Sequence, residues 1–231
     1  MDYILSGISQ ALHLLLHGHP ETYSAIRITL AVSTLSIAGC LLIGAPLGFV
    51  LGYFEFPGKK ILRTLVDTLL SFPTVVIGLL VYAFLSRRGP LGELDLLFTI
   101  PGIAIGEILL GLPIVVALTA TAVEGLDRRL KTTLLTLGAG SRQILITTLW
   151  EARYSMALAA AAAYGRIVSE IGIAMMVGGN IKWHTRTITT AIALETGKGQ
   201  FAMGIALGMV LMLIALIVNM AMSGFKRLAE R

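Results

Sequence analysis

Arg166 and Glu170 stand four residues apart in a stretch, 155–177, that is otherwise apolar or small. Four-residue spacing puts both on one face of a helix. A charged pair in such a stretch is costly to expose to lipid, so both are expected to point inward. Two roles are open to them: mutual neutralisation that holds helices together, or contact with a passing anion. Asp67 and Glu107 also fall in apolar segments. With Glu170 they would supply the proton or sodium sites of an ion-gradient-driven secondary transporter.

Further on, Trp183, His184 and Arg186 are interleaved with Thr185, Thr187, Thr189 and Thr190, a dense set of hydrogen-bond donors. By spacing alone these threonines also suit a capped, half-buried helix in an external loop.

Several chemistries are absent. No G-x-x-x-x-G-K-[ST] loop occurs, so no nucleotide site of that type forms here. No G-x-S-x-G elbow and no paired-carboxylate site is present. His13 and His17 are the only histidines at helical spacing, and without a carboxylate partner they read as solvated, so no metal site is expected. Cys40 is the single cysteine, which excludes an intramolecular disulfide. Catalysis by this chain alone is not expected.

The elements that must position these residues are membrane spans. Hydrophobic residues make up 56% of the 231 residues and charged residues 13%, with a mean hydropathy of +0.85. One soluble core could not hide that much apolar surface. The first apolar run, within 4–16, is about 14 residues, shorter than the roughly 20 that span hydrocarbon. It is expected to lie on the membrane surface or against the bundle, and no basic region or cleavage site marks it as a signal peptide.

Five spans follow. The first, 26–54, carries Gly44, Gly48 and Gly52 at four-residue intervals, a small-xxx-small stripe for close helix approach. The second, 61–85, is interrupted at Ser71-Phe72-Pro73-Thr74, where Pro73 predicts a kink. The third, 100–122, contains Glu107 and Pro113; the fourth is 155–177; the fifth, 202–222, ends at Lys226-Arg227.

The longest polar interruption, 126–153, reads LDRRLKTTLLTLGAGSRQILITTLWEAR. It predicts a helical piece with Leu130, Leu134 and Leu137 on one face, a break at Gly138-Ala139-Gly140, and a second short piece with Ser141 as N-cap. Arg128, Arg129, Lys131, Arg142 and Arg153 surround this elbow and place it on the cytoplasmic side, where short loops collect Lys and Arg. On that topology Lys59, Lys60, Arg63, Lys226, Arg227 and Arg231 also lie inside. Arg27, Arg87, Arg88, Lys182, Arg186 and Lys198 lie outside. The net charge of +5 therefore reads as membrane topology, and no nucleic-acid partner is expected.

At this stretch the chain resembles the integral membrane permeases of type I ABC importers, whose cytoplasmic loop carries an EAA-x3-G signature that docks on the ATPase. Gly138 takes the glycine place, and Thr132, Thr133 and Leu134 stand where E-A-A would be. TLGAGSRQILITTLWEAR, GRIVSEIGIAMMVGGNI and TRTITTAIALETGKGQF look like the permeases of tungstate importers, with molybdate the related oxyanion.

The resemblance implies an all-α integral membrane protein: a five-span permease core with a short N-terminal helix and a cytoplasmic coupling helix. Its parts would be an amphipathic segment at 1–21, a transmembrane domain at 22–225 and a cytoplasmic tail at 226–231. It implies a multi-pass protein of a prokaryotic inner membrane, in a homodimer of permeases with two ATPase subunits and an external oxyanion-binding protein. This chain would bind no cofactor itself; ATP and Mg would sit on the ATPase. Leu134, Leu137, Gly138, Ala139, Gly140, Ser141, Arg142 and Ile144 would form the coupling surface, with Leu134 and Ile144 as apolar anchors. Arg166, Ser169, Glu170, Thr187, Thr189 and Thr190 would line the pathway. An oxyanion accepts hydrogen bonds through four oxygens, and neutral hydroxyl donors hold it without trapping it as clustered arginines would.

Overall fold

A computed structural model describes residues 2–17 and 19–229. The tail expected over 226–231 lies partly outside the described residues. Among the described residues the chain is helical with no strand.

The bundle is organised by two helices, α2 (Pro20–Tyr53) and α5 (Ile100–Glu124), which pack along most of their length. The first helix, α1 (Asp2–Leu16), precedes α2 (Pro20–Tyr53), which Pro20 opens at a position where a missing N–H costs nothing. A 97° turn separates α3 (Lys59–Leu69) from α4 (Thr74–Leu85). A single 3₁₀ turn at Gly92–Leu94 leads to α5 (Ile100–Glu124).

The predicted glycine stripe makes the α2–α5 contact. A methyl group on Gly48 would stand 2.6 Å from the Val116 carbonyl oxygen, and one on Gly52 equally close to that of Ala120. Lipid gives helices no hydrophobic reason to associate, so such backbone approach supplies the attraction. Gly48→Leu is accordingly expected to cost about 1–3 kcal/mol or more. It should lower the thermal unfolding midpoint in detergent, whereas the same change at Gly208, which faces open space, should not.

The elbow follows as α6 (Arg128–Thr136), and then α7 (Ser141–Val168), α8 (Gly172–Gly178), α9 (Ile188–Gly197) and α10 (Phe201–Ala229). Two expectations change here. The second piece of the elbow is not short: α7 continues for 28 residues from the elbow into the bundle. Its N-cap is Gly140, not Ser141; the Gly140 N–H donates to Gln143 Oε1 at 2.8 Å, leaving Ser141 as the first helical residue.

The fourth span is also broken. Helix α7 stops at Val168, and α8 departs at 60°. Among the described residues three helices, α2, α5 and α10, are each long and apolar enough to cross a membrane, or up to five units if each bent pair counts as one. Pro113, by contrast, stays inside a continuous α5.

Helix α1 packs on α10. Ala11 and Leu14 are buried with Leu207 and Val210, and Gly7 meets Ile205. At one end of the bundle, Lys59 bridges Glu55 (2.9 Å) and Glu124 (3.4 Å), while Arg63 reaches Glu124, Asp67 and Thr121. Asp67, placed by the sequence in the second span, falls on α3, where it is half-exposed and paired with Arg63 at 3.6 Å. Helix α3 has no buried residue, which explains why its carboxylate is not enclosed.

Candidate functional site

The α7–α8 break is the chemical centre of the fold. Glu170 is 3% exposed, and its Oε2 accepts from Arg166 Nη1 at 2.9 Å. Its Oε1 accepts from the backbone N–H groups of Gly172 (2.8 Å) and Ile173 (3.3 Å). The carboxylate thus satisfies donors freed at the start of α8, which also favour negative charge. The predicted pair exists, but its members differ: Arg166 is 41% exposed, so only Glu170 points inward. Ser169 is exposed beside it and donates to the Arg166 carbonyl at 3.0 Å.

The threonines converge on the same point from α9. Thr187 is the α9 N-cap and shares hydrogen bonds with Thr190. Thr187 and Thr189 hydroxyls lie 2.9 Å apart, and Thr189 donates to the Glu170 carbonyl at 2.8 Å. All three are buried, between 0 and 3% exposed. Thr187 and Thr189, together with Thr29, Ser33, Glu107 and Glu170, surround a space with no room for a water molecule. In this conformation the hydroxyls predicted for substrate are spent on the chain itself, joining α9 to the break.

Sequence reasoning missed two partners of this cluster. Thr29 Oγ1 accepts from the Ile188 N–H at 2.9 Å, and Ser36 donates to Glu107 at 2.8 Å. The signal was present: Thr29, Ser33 and Ser36 recur at helical spacing along α2, a polar stripe that marks an inward face. Glu107 is 2% exposed and so fastens α5 to α2. Asp67, half-exposed and paired with Arg63, is not among the residues around that space, so the three carboxylates are not gathered at one site there.

At the other candidate site the elbow is open. Gly138 has φ +77°, and its N–H donates to the Leu135 carbonyl (3.0 Å) while that of Ala139 donates to Leu134 (2.9 Å). These paired bonds close α6 with a left-handed glycine. Leu137 is 77% exposed and Leu135 also stands out, while Leu134 is half-buried. Gly138, Gly140, Ser141 and Arg142 are exposed and Ala139 is half-buried. Ile144 differs from its expected role: at 4% exposure it packs inward and fixes the start of α7.

Residues 44–230 match the family described as binding-protein-dependent transport system inner membrane component. The chain belongs to that family. It is similar to a tungstate uptake system permease of Campylobacter jejuni, 49% identical over 227 residues that cover 98% of this chain and 95% of the relative. A second tungstate uptake permease, from Peptoclostridium acidaminophilum, is 36% identical and covers 95% of this chain and 96% of its own length. A solved bacterial alginate ABC transporter, in complex with a pentasaccharide-bound periplasmic protein, shares the fold with a TM-score of 0.73 at 19% identity. It covers 96% of this chain and 86% of that one. The resemblance drawn from the elbow and the α7–α9 region is therefore correct at the level of family and fold. This chain is the membrane component of an importer whose ATPase is a separate chain. None of these relatives supports an ion-gradient-driven carrier.

Proposed function

We propose that this chain forms the path by which an ATP-driven importer carries tungstate across a prokaryotic inner membrane. In this reading two copies pair, two ATPase subunits engage the elbow from the cytoplasm, and an external protein delivers the anion. ATP and Mg are bound by the ATPase and none by this chain. Counting each bent pair as one crossing gives five spans, with the start of α2 outside and the elbow inside.

The observation that carries the reading is the uncovered face of α7. Glu151, Ser155, Leu158, Ala162, Gly165 and Ser169 are exposed at alternating intervals of four and three, and the half-exposed Arg166 adjoins them. Lipid is a poor cover for hydroxyls and a guanidinium. A water-lined path against a second copy suits them, with Arg166 supplying the one positive charge that an oxyanion meets at the break. The names of the two tungstate permeases support the choice of anion.

Tungstate uptake into vesicles holding the full complex, in competition with molybdate and sulfate, tests this. Uptake dependent on the binding protein and suppressed least by sulfate is expected. Failure of tungstate to enter, with another anion accumulating in its place, would replace the substrate.

A further inference from the structure

Among the described residues, four besides glycine adopt positive φ: Asp95 (47°), Phe98 (62°), Asn180 (51°) and Trp183 (70°). All four lie in two loops at the end of the bundle away from the elbow. The loops touch. The Phe98 N–H donates to the Val177 carbonyl at 2.9 Å, and a methyl on Gly179 would fall 2.7 Å from the Phe98 ring. Asn and Asp enter the left-handed region readily, but a bulky side chain there is an outlier costing roughly 1–2 kcal/mol.

Surrounding contacts hold the strained backbone in place. Thr185, 1% exposed, donates to the Gly178 carbonyl and accepts from the Ile181 N–H at 3.1 Å. Arg186 Nε donates to Asn180 Oδ1 at 3.1 Å. Glu21, at the start of α2, pairs with Arg186 and with Lys182 (2.8 Å). The scaffold is satisfied, yet the rings it presents are not: Phe98 is 43% and Trp183 52% exposed.

Strain that persists only because its surroundings impose it marks a functional surface. Rigid, outward-held aromatic rings are the residues that dominate protein interfaces. We infer that Phe98 and Trp183 are the anchors on which the external binding protein docks, an inference that rests on the importer reading above. The family depends on such a protein, and the opposite end of the bundle carries the elbow. A lipid headgroup is the other candidate, since tryptophans gather at membrane interfaces. That role needs no strained backbone.

The test titrates anion-loaded binding protein onto the full permease–ATPase complex in lipid nanodiscs and reads the concentration giving half-maximal stimulation of ATP hydrolysis. Trp183→Gly removes the ring and favours the φ already present, so the loop keeps its course. It should raise that concentration about tenfold or more, with copurification of the ATPase unchanged, and Trp183→Phe should recover most of the loss. Trp183→Asn, which also tolerates the left-handed region, gives the same readout if the glycine variant does not assemble. An unchanged half-maximal concentration in these variants overturns the inference, including the case where only incorporation into lipid suffers. Absence of any stimulation in the unaltered complex fails the importer reading itself.

Discussion

Glu170→Ala is expected to abolish uptake, with a fall of roughly a hundredfold or more. Glu170 answers three donors at once: the Arg166 guanidinium and the N–H groups of Gly172 and Ile173. Removing one partner of a buried ion pair costs about 3–5 kcal/mol, because the charge left behind has no counterpart. Here the loss also strips the first turn of α8 of its acceptor. Arg166 is half-exposed, so the cost falls toward the lower part of that range. Uptake and the thermal midpoint in detergent measure the two consequences. Glu170→Gln keeps an acceptor for Gly172 and should lie between the two. Wild-type uptake in Glu170→Ala would show that the break is held by other means.

Gly138→Val should separate ATP hydrolysis from transport. At φ +77° a β-branched residue is strained by about 1–3 kcal/mol, and the loop escapes by abandoning the two bonds that close α6. Nothing crowds the position, with no atom within 4 Å of an added methyl, so the effect comes from backbone conformation and not from a clash. The elbow would then present Leu137 in the wrong direction. The expected result is a rise of at least about tenfold in ATP consumed per anion carried, or loss of ATPase copurification. Gly138→Asn, which tolerates the left-handed region, should retain most coupling. An unaltered ratio in Gly138→Val would remove the elbow from the coupling path.

Much of this was legible because membrane spans leave strong local marks. The Gly44, Gly48, Gly52 interval reported its own packing, since only close backbone approach makes use of such a stripe. The Arg166 and Glu170 interval likewise reported a pair. Local marks fail where the outcome depends on distant chain. Nothing near Pro73 or Ser169 gives the size of a bend, so a kink became a 97° turn and one span became two helices at 60°. Ser141 has the better N-cap side chain, but Gln143 reaching back to Gly140 decided the start of α7. Thr189 finds its acceptor, the Glu170 carbonyl, 19 residues away, and the N–H of the neighbouring Ile188 finds Thr29 159 residues away, so nothing in the local sequence of α9 marks either contact.

The central claim is that force enters through the elbow from an ATP-consuming partner. Purified complex in sealed vesicles, with ATP supplied on the elbow side and ionophores abolishing every ion gradient, measures it directly. Continued, binding-protein-dependent uptake of tungstate that stops without ATP is the predicted result. Uptake that survives without ATP under an imposed proton or sodium gradient, and ceases when the gradient is dissipated, would contradict the account.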